Sequence, residues 1–204
     1  MRILLVEDDP NNIAVAEEQF AGHELIIASS YQEFEQKGDC IFADKREDRV
    51  DLILTDLQIP LGRFPEGCIT LNQNNQPTDL YPIGLVVLLL ARQYNILCFL
   101  VSAINHHEDA WAHILERSGL GPQSYNVMVS NDLLGHHNIR KCFVRYCRGE
   151  KNWLNYVLIA IERYFLPMLG EKELGDYLYK ESWPSLSPAG KALFFEWLEK
   201  WTKL

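Results

Sequence analysis

Four residues able to do chemistry each stand at the end of an apolar run. Asp8 and Asp9 follow ILLVE, Asp56 follows VDLILT, and Ser102 follows LCFLV. If those runs are neighbouring strands that end on one rim, Asp8, Asp9 and Asp56 bring three carboxylates together. Like charges at that separation are unfavourable unless a cation or a proton comes between them. A hard divalent ion such as Mg²⁺, which takes a few carboxylates plus waters and phosphate oxygens, is the natural counter-charge. Asp56 then becomes a nucleophile toward phosphorus, the metal neutralising charge on the transferring group. Ser102 can donate a hydrogen bond to a phosphoryl oxygen. The alternative is that strand-end acids merely cap the helices and loops that follow them. It serves for any one of these positions and poorly for all four together.

The elements that must position these residues alternate along the chain. Residues 2–6, 25–28, 50–55, 97–101 and 127–129 read as strands, the last of them the shortest. Residues 11–20 place Ile13, Ala16 and Phe20 on one helical face, with Gly22 closing the helix. Helices are also expected at 31–37, 83–94 and 105–117, the last opening on Asn105 and Glu108 as a capping pair. Strands that are apolar throughout and alternate with helices indicate an α/β fold whose parallel sheet is covered on both faces. Such sheets bind ligands outside the carboxyl ends of their strands, the edge where the acids and the serine fall. Residues 61–82, rich in Pro, Gly, Asn and Gln, read as a long insertion beside Asp56.

Composition narrows the function classes. The chain has 204 residues, 48% hydrophobic and 23% charged, which suits a soluble globular protein. A net charge of -9 argues against broad nucleic-acid binding, which needs a basic face. The one basic cluster, Arg140, Lys141, Arg145, Arg148 and Lys151, reads as a solvated helix face. The apolar run at 83–91 is well short of a membrane span, and MRILLVEDDP is too short in apolar residues for a signal-peptide core, so a cytoplasmic location is expected. Cys40, Cys68, Cys98, Cys142 and Cys147 form no CxxC pair and read as free thiols. His106, His107, His113, His136 and His137 lack partners at metal-ligand spacing and read as surface residues.

In this order, ILLVEDDP, VDLILTDLQIP and LVSA resemble the acid pair, the phosphoacceptor strand and the switch-serine strand of response-regulator receiver domains. The resemblance spans roughly residues 1–145. It implies a flavodoxin-like, doubly wound, five-stranded parallel sheet in the order 2-1-3-4-5. It further implies Mg²⁺ held by Asp8, Asp9, Asp56 and the backbone carbonyl of Gln58, with Asp56 as phosphoacceptor and Ser102 as the switch. The donor would be a sensor histidine kinase or a phosphotransfer protein, and the chain a signalling module rather than an enzyme. Three departures stand out. Where the family carries a lysine at the end of strand five, NVMVSNDLL places Asn131 or Ser130, which brings no positive charge, and Lys141 is ten residues further on. The aromatic switch position falls on Met128 or Val127, with Tyr125 a poorer fit. The spacing from Asp56 to Ser102 is lengthened by the insertion at about 61–82.

Residues 1–148 therefore form the expected receiver-like domain, and 149–204 a helical extension. Leu154, Val157, Leu158, Ile161, Phe165 and Met168 make one apolar stripe; Leu193, Phe194, Trp197, Leu198 and Trp201 make another, after a Ser187–Pro188 helix start. The extension is expected to pack on the receiver-like domain or to mediate a homodimer. The leading expectation is a phospho-accepting receiver that signals through protein contacts. The alternative is a pseudo-receiver, a binding module independent of phosphorylation, to which the missing lysine points. An aspartyl phosphatase would need a second Asp where Gln58 stands.

Overall fold

The segments ILLV, LILT and LCFLVS are buried at every position because both faces of the sheet they build are covered. The computed structural model describes residues 1–38, 41, 43, 45, 48–62, 80–102, 128–129, 142–146, 151–166 and 183–204. In chain order these form β1 (Arg2–Val6), α1 (Pro10–Gln19), β2 (Glu24–Ala28), α2 (Tyr31–Gln36), β3 (Leu52–Thr55), β4 (Ile59–Pro60), β5 (Leu80–Tyr81) and α3 (Ile83–Gln93). There follow β6 (Leu97–Ser102), β7 (Met128–Val129), β8 (Cys142–Tyr146), α4 (Trp153–Ala160) with a π-helical turn (Ile161–Phe165), a 3₁₀ turn (Trp183–Ser185) and α5 (Pro188–Thr202). The helix expected at 105–117 lies outside the described residues.

The main sheet has the order β2-β1-β3-β6-β8-β7. Its first five strands are mutually parallel, and β7 runs antiparallel to β8 at the edge. Counting parallel strands alone, this is the doubly wound 2-1-3-4-5 order. The fifth parallel strand, however, is Cys142–Tyr146 and not the expected 127–129. Met128 and Val129 do form a strand, but they pair back onto Val144 and Phe143 at the sheet's edge. The segment CFVRY carries Arg145 within a basic stretch, which hid its strand character. The cluster read as a helix face is thus partly a strand.

Side-chain alternation divides the core in two. Ile3, Leu5, Leu52, Leu54, Leu97 and Phe99 face α1, α4 and α5; Leu4, Val6, Ile53, Cys98 and Leu100 face α2 and α3. Both described helices of the C-terminal segment contribute to the first layer. Trp153, Leu154, Val157 and Leu158 of α4 and Phe194, Trp197, Leu198 and Trp201 of α5 are buried there. Trp201 stacks on Phe165 with centroids 5.4 Å apart and meets Phe99 of the sheet edge-on at 6.3 Å. The described ends of the insertion meet as a short antiparallel ladder, Ile59 with Tyr81 and Pro60 with Leu80.

Candidate functional site

The carboxyl ends of β1, β3 and β6 lie on one edge, since Val6 is in register with Thr55 and Thr55 with Leu100. The residues just beyond are Glu7 and Asp8, Asp56, and Ser102 as the last residue of β6. A carboxylate oxygen from each of Glu7, Asp8 and Asp56 lies within 4.8 Å of the others. Asp9, expected among the metal ligands, is elsewhere: it is exposed and caps α1, accepting the Asn11 N–H at 2.8 Å. Glu7 is the third member of the acidic cluster instead. Three consecutive acids left the register open by one residue, and the signal that resolves it is Pro10, because an Asp before a Pro is the usual cap and first position of a helix.

Lys151 is the residue that sequence reasoning missed. Its side chain is 2% exposed, and its Nζ lies 2.5 Å from Glu7 Oε2 and 3.0 Å from Asp56 Oδ2. It follows β8, the true fifth parallel strand, so the cation expected to be absent is present and paired with the phosphoacceptor candidate. Asn131, assigned to that position from the sequence, lies outside the described residues, as do the five histidines considered above. The ammonium also stands 5.4 Å over the Trp153 ring. A buried charge persists only when paired in this way.

Asp56 is held from several sides. Its Oδ1 accepts the Leu57 N–H at 2.6 Å, and its own N–H bonds to the Val6 carbonyl at 2.9 Å. Its carbonyl accepts the Thr55 hydroxyl at 2.8 Å. Gly84, in the first turn of α3, is pressed against that carbonyl: a Cβ at this position would lie 1.8 Å from the Asp56 oxygen. Only glycine lets α3 approach the strand end this closely. Gln58 is half-buried two residues beyond Asp56, and Ser102 is buried at the rim opposite Tyr146 in register.

Burial raises the pKa of Asp56, Glu7 and Asp8 above the ordinary carboxylate range. For Asp56 and Glu7 the Lys151 ammonium opposes that rise without cancelling it; for Asp8 the neighbouring Glu7 charge adds to it. One ammonium facing three carboxylates leaves an excess of two negative charges when all are ionised. A divalent cation with oxygen ligands fits both that charge and the donor set. Asp8 and Asp56 are the natural direct ligands. Both Glu7 oxygens are already engaged, Oε2 by Lys151 and Oε1 by the Asp9 N–H at 3.1 Å.

The sheet order and its two helical layers give this chain the flavodoxin-like fold on which receiver domains are built. No family model and no curated protein matches the chain. Among solved structures it is similar to the Mn²⁺-bound form of the response regulator Rcp1, at 20% identity and a TM-score of 0.32 over 55% of this chain and 72% of that one. It is similar also to the phosphorylated cyanobacterial phytochrome response regulator RcpA, at 18% identity and a TM-score of 0.35 over the same shares. Among the described residues no helix is long and apolar enough to cross a membrane.

Proposed function

We propose that this chain is a response-regulator receiver that accepts a phosphoryl group on Asp56. The carrying observation is the buried Lys151 ammonium bonded to both Glu7 and Asp56 on an otherwise acidic rim. A carboxylate that only capped a loop would have no need of a desolvated cation, which is costly to bury. The Asp56 carboxylate attacks phosphorus, the bond from phosphorus to the donor's nitrogen or oxygen breaks, and an aspartyl phosphate results. Lys151 then faces the new phosphoryl oxygens, and the Ser102 hydroxyl donates to one of them. Asp8 and Asp56, with the Gln58 carbonyl, would hold Mg²⁺, which supplies neutralisation of charge on the transferring group. A sensor histidine kinase or phosphotransfer protein is the proposed donor, in the cytoplasm, and output passes through protein contacts. The boundary expected at 148 is proposed to lie further on, since Lys151 belongs to the rim and α4 to the sheet's helical layer, and the rest of the helical extension to 204 completes the core.

The phosphorylation-independent module drew its support from a missing lysine, and Lys151 removes that support. The deciding experiment is intact-protein mass after incubation with Mg²⁺ and acetyl phosphate, beside Asp56→Asn. A phosphoryl adduct that requires Mg²⁺ and is lost in the variant is expected. A folded protein that gains no adduct under these conditions would return the binding module to first place.

A further inference from the structure

We infer that Asn12 is the positioning residue that sets the Lys151 ammonium against Glu7 and Asp56. Lysine ends in a point charge on a flexible four-carbon stem, so its main chain must be fixed before its charge can be aimed. Lys151 lies in the segment between β8 and α4, with no ladder hydrogen bond of its own. Its backbone N–H donates instead to Asn12 Oδ1 at 3.2 Å, within the protein interior. Two residues on, the Trp153 indole N–H donates to the Asn12 carbonyl at 3.3 Å. Asn12 thus clips the chain on both sides of the point from which the ammonium stem leaves, and the Trp153 ring it anchors is the one lying under that ammonium.

The location of Asn12 makes this clip specific to the rim. It is in the first turn of α1, whose start is fixed by the Asp9 cap immediately after Glu7 and Asp8. One short stretch of chain therefore supplies two of the acids and the acceptor that seats their cation. Asn12 is 8% exposed, although asparagine is a middling helix former and a costly residue to bury unpaired. An apolar residue at this position would pack as well and leave the Lys151 N–H without an acceptor.

The inference deepens the receiver reading, but its first readout does not depend on that reading. Lysine amines are labelled by reductive methylation, and the Lys151 peptide is followed by mass spectrometry in the wild type, Asn12→Ala and Asn12→Asp. Lys151 should be protected in the wild type. In Asn12→Ala it should label about tenfold faster, as expected when one hydrogen bond no longer holds the segment closed. Asn12→Asp keeps the acceptor and should restore protection. Unchanged protection in Asn12→Ala, in a folded protein, would overturn the inference. Should that variant not fold, Trp153→Phe removes the indole donor together with part of the ring under the ammonium and should raise labelling; no rise at all would count against the clip.

A second readout separates positioning from general support. The rate of adduct formation from acetyl phosphate is compared for Asn12→Ala in the wild-type and the Lys151→Met backgrounds. A residue that acts through Lys151 slows the wild-type background and has no further effect once the amine is gone. Equal slowing in both backgrounds would make Asn12 merely structural. Absence of any adduct in the wild type would sink the receiver reading, while the labelling result would still decide the role of Asn12.

Discussion

Lys151→Met tests the electrostatics of the rim most directly. Methionine keeps the length and the contact with Trp153 but removes the ammonium that lies 2.5 Å from Glu7 and 3.0 Å from Asp56. Removing one partner from a buried pair costs about 3–5 kcal/mol, because the charges left behind stay desolvated. Here the remaining groups have an escape, since they can take up protons. Burial already raises the pKa of Glu7, Asp8 and Asp56 in the folded state, and loss of the opposing cation raises the first two and Asp56 further. An acid whose folded pKa lies above its unfolded value favours the folded state at low pH. That contribution is lost as pH rises through the folded pKa. The penalty of the substitution should therefore be about 3 kcal/mol at about pH 8 and smaller at about pH 5, since protonation of acids with raised pKa values relieves the unpaired charge. In melting temperature this is roughly a 6–12 °C loss at the higher pH for a chain of this size. Urea unfolding at the two pH values measures the difference. An equal loss at both would mean that Lys151 acts by packing alone and would refute the electrostatic account.

Two further outcomes follow from the same geometry. Gly84→Ala should destabilise the fold by roughly 1–3 kcal/mol, an overpacking cost concentrated at the Asp56 carbonyl, and should slow adduct formation on Asp56; urea titration and intact mass check both, and a change under about 0.5 kcal/mol would show that α3 shifts freely. Millimolar Mg²⁺ at neutral pH should raise the melting temperature of the wild type, by about 2.7 kcal/mol of stability at a hundredfold excess over its dissociation constant, and Asp8→Asn should abolish the rise; an equal rise in the variant would place the ion elsewhere.

The parts of this architecture that were legible in the sequence are those written in continuous apolar runs. ILLV, LILT and LCFLV announce buried parallel strands, and the helix from Ile83 to Gln93 follows from its apolar density. The acids were legible as a cluster but not in register. Glu7, Asp8 and Asp9 differ in role only because the backbone leaves the strand after Val6 and enters a helix at Pro10, and a run of like charges does not mark that boundary.

Lys151 was illegible for a different reason. A lysine at a sheet's rim is found in sequence by counting from its strand, and the strand itself was misplaced. Met128–Val129 offered an apolar pair where a fifth strand was due, whereas Cys142–Tyr146 carries Arg145 in a stretch rich in positive charge. What distinguishes the two segments is pairing direction. A strand leaving β6 through a crossover must run parallel to it, and only Cys142–Tyr146 does so, in register from Cys98 to Ser102. Direction is a property of the path between strands, and that path is invisible to residue types. Once it is known, the basic cluster ceases to be one surface feature. Its described members have separate roles: Arg145 lies in a strand, and Lys151 is a buried lysine whose charge is taken up by Glu7 and Asp56, which is why the rim read from residue types alone lacked its cation.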